Sequence, residues 1–399
     1  MERSLRMQSE ERAIDILDLQ SLLTEEERSI QQTMRQWLQE SLKTRIVDLW
    51  QSGEQPTDLY PQFAQLGLLG ASLPEPYGGH MKARAYGLVM KELERVDSCI
   101  RSMVSVQNNL CMYPIWAFGS EEQKKNYLPK MVAGEMTGCF CLSEPDAGSD
   151  PAAMRTVARK TPDGYSINGT KRWITNGTNA NICVVWARVP EEENRIFGFI
   201  VDAQAEGLTR LSITDKLSFR ASDTAELIFE DVCIPREHRL PGAVGLGAAL
   251  GVLNQARYGI VWGVLGAAEE CLETALSFVS TRHAFGKSLS GFQLVQKKCA
   301  EMARDLAQGH LLAYRLAELK EEGRLEAKHV SLGKMNNVDI ALKIARTCRE
   351  MLGANGIMDE YPIMRHLCNL ETVYTYEGTH DIHLLVLGQA LTGQNAFRS

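Results

Sequence analysis

The segment Tyr376-Glu377-Gly378-Thr379-His380-Asp381-Ile382-His383 gathers residue types that could do chemistry. Glu377 stands between an aromatic ring and a glycine. A carboxylate beside bulky apolar neighbours is partly desolvated, which raises its pKa and makes it a better base. The glycine after it lets another backbone or a flat ligand approach closely. This arrangement suits removal of a carbon-bound proton from an activated substrate, although a plain glutamate on a loop between helices has the same local pattern. His380 and His383 are metal-ligand types, but further ligands at suitable spacing are lacking, so no metal site is expected.

Other constellations leave two readings open. Phe140-Cys141-Leu142-Ser143-Glu144-Pro145-Asp146-Ala147-Gly148-Ser149-Asp150 is a strand running into a loop punctuated by Pro and Gly. Its free backbone N–H groups suit a heteroaromatic edge or a phosphate, or simply a β-turn. Arg282-x-x-Phe285-Gly286, with Gln293 nearby, offers an arginine fork beside a tight loop, fit for a pyrophosphate or for nothing more than a helix end. Asn254 and Arg257 sit one turn apart on a helix and suit helix-to-helix hydrogen bonds. Arg101 and Ser102 lie on a modestly apolar stretch, Ile100 to Val106, where a salt-bridged structural arginine is the commoner case. Gly245-Leu246-Gly247-Ala248-Ala249-Leu250-Gly251 imitates a dinucleotide fingerprint, but it opens a helical bundle without a parallel β-α-β unit, so nicotinamide binding is not expected.

These residues need a scaffold, and 399 residues suffice for two or three domains. The net charge of −7 and the absence of a long basic run argue against nucleic acid. No apolar run is long enough for a membrane span. Arg3 and Arg6 are followed by Glu10 and Glu11 with no apolar core, so neither a signal nor a transit peptide is expected. Ten cysteines without a disulfide-like framework imply reduced thiols and a cytoplasmic location, or the mitochondrial matrix for a processed eukaryotic chain.

Residues 1–132 read as helical, with capping boxes at Thr24-Glu25-Glu26-Glu27 and Ser120-Glu121-Glu122-Gln123. Residues 133–240 change period. Gly138 to Leu142, Tyr165 to Ile167, Thr170 to Ile174, Ile182 to Ala187, Ile196 to Val201 and Ala225 to Val232 read as strands. Asn168-Gly169 predicts a two-residue hairpin. Residues 241–399 return to long helices joined by short connections, an antiparallel bundle. The expected fold is α+β, mainly α: a helical domain, a small β-barrel-like domain and a C-terminal four-helix bundle.

The 376–383 segment, followed by Leu387-Gly388 and Leu391-Thr392-Gly393, resembles the catalytic-base segment of the acyl-CoA dehydrogenase family, and its wording is most similar to the glutaryl-CoA dehydrogenases. The resemblance runs from about Leu22 to Phe397. It implies FAD, held by Phe140, Leu142, Ser143, Ser149, Trp173, Ile174 and Thr175. Arg282, Phe285, Gln293, Glu350, Gly353, Thr379, Asp381 and Phe397 complete that set, partly across subunits of a homotetramer. Ala354 departs from the pattern where a second glycine is usual. The resemblance further implies an acyl-CoA substrate lined by Ser149, Asn254, Arg257 and Gly378, and an electron-transfer flavoprotein as acceptor. Glu377 would take the α-proton. Arg101 and Ser102 would bind a distal carboxylate, with Glu94 and Tyr376 completing that network. Asn108-Asn109 stands where small serines are usual.

Overall fold

The structure is a computed structural model and describes residues 14–79 and 81–397. The reading of Arg3, Arg6, Glu10 and Glu11 lies outside the described residues.

The N-terminal helices are α1 (Glu25–Ser41), α2 (Ile46–Ser52), α3 (Leu59–Gln65), α4 (Ala83–Val96), α5 (Ser98–Ser105), α6 (Tyr113–Phe118) and α7 (Glu121–Val132). Both capping boxes form. At α1 the Glu27 N–H donates to Thr24 Oγ1 and the Thr24 N–H donates back to Glu27 Oε2, and Ser120 and Gln123 repeat the exchange at α7. Between α5 and α6 one wide π-helical stretch, Val106–Met112, carries Asn108 and Asn109. Such stretches expand a helix by one residue, and nothing in the periodicity announces this one.

The strands of the main sheet, apart from a small pair at His283–Ala284 and Lys287–Ser288, are β1 (Gly138–Cys141), β2 (Val157–Lys160), β3 (Gly164–Thr175), β4 (Ile182–Val189), β5 (Arg195–Asp202), β6 (Leu208–Ser212), β7 (Thr224–Pro235) and β8 (Arg239–Val244). They form one mixed sheet in the order β6-β7-β3-β2-β4-β5-β8, with β1 parallel to β4. The hairpin expected at Asn168-Gly169 is absent. β3 runs straight through it, and the register against β7 slips between Ile167 and Gly169. The dipeptide makes a bulge because Gly169, at φ 148°, passes so close to Thr156 that a Cβ would stand 2.4 Å from its hydroxyl. β2, β6 and β8 had no expected counterpart. β8 runs past 241, where the helical domain was expected to start.

The C-terminal helices are α8 (Leu246–Thr281), α9 (Gln293–Glu321), α10 (Ala327–Met351), α11 (Ile363–Thr375) and α12 (His380–Thr392). The middle of α8 is buried on every side, from Ala256 to Ala268. It therefore packs against α4 and α10 at once and forms the axis of the largest core. A second core lies between the sheet and the helices around Leu110, Ile115 and Leu128. There Phe140 and Leu142 face the helices, while Cys139 and Cys141 face the opposite side of β1 with Cys183. All ten cysteines are free thiols.

Candidate active site

The turn between α11 and α12 places Glu377. Tyr376 closes α11, Glu377 takes φ 51°, Gly378 takes φ 91°, and Thr379 caps α12 by accepting from the Ile382 N–H. A left-handed glutamate is costly for a residue with a Cβ, and it persists only where the surroundings hold it. Here two cations do so. Lys334, on α10, donates from Nζ to the carbonyl of Tyr376 and, at 2.7 Å, to that of Gly378. Arg257, on α8, donates from Nε to the carbonyl of Glu377 itself at 2.7 Å, while its other arm meets Asn254 at 2.9 Å. The Asn254–Arg257 pair thus serves the base's own backbone, an interaction the helical spacing did not reveal.

Some atoms of Glu377 reach the surface, but Oε2 is buried and has no hydrogen-bond partner among the described residues. Burial pushes the carboxyl above its usual range, against the opposing pull of Arg101, Lys334 and Arg257. An unpartnered carboxylate oxygen in a dry place is a base waiting for a proton.

Arg101, on α5, is fully buried. It donates from Nε to Glu94 Oε2 at 2.7 Å and from a second nitrogen to the Tyr376 hydroxyl, and its third nitrogen has no partner among the described residues. Against the cost of burial, Glu94 and Tyr376 keep the guanidinium firmly charged, and burial pushes the Tyr376 phenol up. Ser98 donates to the other Glu94 oxygen at 2.8 Å, and Gly263 leaves room for the carboxylate against α8. Asp97 ties this corner to the base: it caps α5 at the Cys99 N–H and accepts from Arg365 and Asn369 on α11. Ser102 is buried on the same helix. Sequence reasoning therefore named Glu94, Arg101, Tyr376 and Glu377, and the structure brings them together. Asn108 turns away, holding Leu68 and Gly70 backbone, while Asn109 donates to the Tyr86 hydroxyl at 2.7 Å. Lys334 was missed. It is in phase with the buried positions Val330, Asn337, Ala341 and Cys348 of α10, a signal that was available.

His380 stacks on Tyr374, and His383 contacts Ser331.

The remaining named residues are spread over other surfaces. Ser143 and Thr175 are partly buried, Ile174 is buried, and Ser149 is exposed on the loop after β1. Trp173 is 58% exposed at φ 63°, with Arg172 against its ring at 5.1 Å. Arg282, Gln293, Glu350, Gly353 and Asp381 are exposed, Thr379 is partly buried, and Phe285 and Phe397 present their rings to solvent. Glu350 is paired with Lys298 at 2.7 Å. Ala354 is exposed, so its methyl meets open space in this chain.

Family models for the N-terminal, middle and C-terminal domains of acyl-CoA dehydrogenases match residues 24–135, 139–232 and 243–392. The chain belongs to the acyl-CoA dehydrogenase family. A glutaryl-CoA dehydrogenase structure from Mycobacterium smegmatis is 50% identical, with TM-score 0.93, covering 96% of this chain and 99% of that one. A second from the same organism, in complex with FADH2, is 46% identical with TM-score 0.94 and the same coverage. The rat mitochondrial short-chain specific acyl-CoA dehydrogenase is 35% identical over 370 residues, 92% of this chain and 90% of its own.

The protein is thus an FAD-dependent acyl-CoA oxidoreductase. Its residues fit a flavin. The Trp173 indole is a flat apolar face exposed at the end of β3, and among the described residues β1 pairs with a strand on one edge only. A planar heteroaromatic ring can cover the first and hydrogen-bond beside the second. Among the described residues no helix is long and apolar enough to cross a membrane.

Proposed function

We propose that the protein oxidises glutaryl-CoA and decarboxylates the product, releasing crotonyl-CoA and CO2, with Glu377 as the α-proton base. The observation that carries this reading is the free nitrogen of Arg101. An alkyl chain gains nothing from a buried cation, whereas a substrate ending in a carboxylate places that group on it.

Bound FAD supplies the hydride acceptor for the substrate's β-carbon. The Glu377 N–H polarises the thioester carbonyl, and the buried Glu377 carboxylate takes the α-proton as the Cα–Cβ double bond forms. The far carboxylate is then vinylogous to the thioester carbonyl. Its C–C bond breaks, CO2 leaves, and the electron pair passes to the thioester as a dienolate. Glu377, now protonated, returns its proton to the carbon that lost CO2. Glu94 already occupies one side of Arg101, so the substrate carboxylate is held by a shared cation. Sharing weakens the grip that would otherwise oppose CO2 release. The Tyr376 hydroxyl accepts from the same guanidinium and limits where the carboxylate sits.

Arg282, Phe285, Gln293, Glu350 and Gly353 are assigned to the flavin of a neighbouring subunit in a homotetramer. The exposed apolar side chains of Phe285, Leu294, Ile357 and Leu391 support that assembly. An electron-transfer flavoprotein is the assigned acceptor. A second reading, oxidation of another short acyl thioester without decarboxylation, draws on the 35% identity to the rat short-chain enzyme.

Anaerobic mixing with glutaryl-CoA, followed by flavin absorbance and product mass, separates the two. Bleaching with crotonyl-CoA and CO2 supports decarboxylation. Bleaching with only the unsaturated five-carbon thioester leaves a dehydrogenase, and bleaching by butyryl-CoA alone removes the role given to Arg101.

A further inference from the structure

We propose that Lys334 is a positioning residue for the base: by holding the carbonyls on either side of Glu377 it fixes the left-handed turn that aims both the carboxylate and the Glu377 N–H at the thioester.

Lys334 is 1% exposed, and among the described residues both of its hydrogen bonds go to backbone carbonyls, those of Tyr376 and Gly378. With Arg257 on Glu377, two cations take the carbonyls of three consecutive residues. A trans peptide puts its C=O and N–H on opposite sides. Holding the Tyr376 carbonyl toward α10 therefore turns the Glu377 N–H away from α10, and holding the Gly378 carbonyl fixes the plane that follows. The turn that results carries a glutamate at φ 51°, a conformation that must be imposed from outside. A buried lysine is an expensive way to fill space, since burial, with Arg257 and Arg101 beside it, holds its ammonium well down and only Glu377 pulls it back up. Packing alone is better served by methionine. The charge also faces the base: Lys334 and Arg257 both favour the ionised form of Glu377.

The inference rests on Glu377 as the base but not on the choice of acyl chain. It is tested on holoenzymes, with whichever acyl-CoA bleaches the wild type, comparing Lys334→Met, Lys334→Gln and Lys334→Arg with Glu377→Gln. The neutral variants should retain FAD and a near-normal KM while kcat falls by about 100-fold. The acid limb of kcat/KM should move up by about one pH unit, because a cation favouring ionised Glu377 is gone. Lys334→Arg keeps the charge and should leave the limb in place. Should the methionine variant fail to fold, the glutamine variant, with two donors and no charge, reads the limb instead. A neutral holoenzyme with wild-type kcat and an unmoved limb overturns the proposal, as does one that loses only thermal stability. Retained turnover in Glu377→Gln would remove the base itself, and the positioning role with it. Abolished turnover there, beside unaffected Lys334 variants, sinks the positioning role alone.

Discussion

Adding one methyl group at Gly263 should separate the dicarboxylate chemistry of this site from its dehydrogenase chemistry. Gly263 lies in the buried middle of α8, facing the Glu94 carboxylate. A Cβ there would stand 2.1 Å from Glu94 Oε2 and 3.3 Å from Arg101 Nε. Carbon–oxygen contacts settle at about 3.3 Å, so the carboxylate must retreat by about 1 Å. Its bond to Arg101 Nε is now 2.7 Å. A retreat of that size along the bond takes it beyond the ~3.2 Å limit for an N–H···O bond. Complete loss of one partner of a buried pair costs about 3–5 kcal/mol. Ser98 still holds the other Glu94 oxygen at 2.8 Å, so about half, ~2 kcal/mol, of what positions Arg101 is lost, and carried in full into the transition state for glutaryl-CoA that is roughly 30-fold in kcat/KM.

The control is built into the substrate. Butyryl-CoA has no distal carboxylate, so kcat/KM for it should change by less than about threefold in Gly263→Ala. Helix propensity returns up to about 1 kcal/mol of what the clash costs, and flavin content reports whether the fold has survived. The assay is kcat/KM for both thioesters, together with CO2 released per flavin reduced. Wild-type values for glutaryl-CoA in a flavin-replete Gly263→Ala enzyme would refute the reasoning, and so would an equal loss on both substrates.

Glu377 has to be ionised to act, and its carboxyl is held above the ordinary 4.5. Activity should therefore fall as pH drops through a limb above 4.5, read from kcat/KM against pH; a limb at or below 4.5 would show that desolvation does not govern the base. Trp173→Ala should weaken FAD binding by about tenfold, the worth of one aromatic stack, measured by titrating apoenzyme with flavin. His366 is buried, and burial together with Arg365 holds it down to about 3 from 6.5. Its neutral form is the one that folds, so stability is full above pH 6.5 and drains away as pH falls toward 3. His366→Phe should flatten that acid slope in Tm by ~3 °C between pH 7 and pH 5, and an unchanged slope would place the sensitivity elsewhere.

Residues whose meaning is local were legible in the chain, and residues whose meaning comes from packing were not. Thr24 and Ser120 announce their helices because a cap is made with a side chain three residues away. Asn168-Gly169 was misread for a related reason. A hairpin turn and a bulge both need a residue tolerant of positive φ, and only the partner strand β7 decides between them. β6 and β8 are short and mostly exposed or mixed in burial, so they offered no clear run of apolar alternation. At the site, Glu94, Arg101, Tyr376 and Glu377 were named through resemblance, and the structure supplied what no spacing could: α5 and α11 meet through Asp97, which sets Arg101 against Tyr376. Lys334 differs from these. A lysine on an amphipathic helix is ordinarily taken as solvent-facing, yet its position in the period of α10 puts it inside. A charged residue in phase with a buried stripe has to find carbonyls or a carboxylate, because nothing else in a core can receive it. In this chain the carbonyls it finds are those flanking the base. That rule would have singled out Lys334 before any coordinates, and it is the rule on which the test of Lys334 turns.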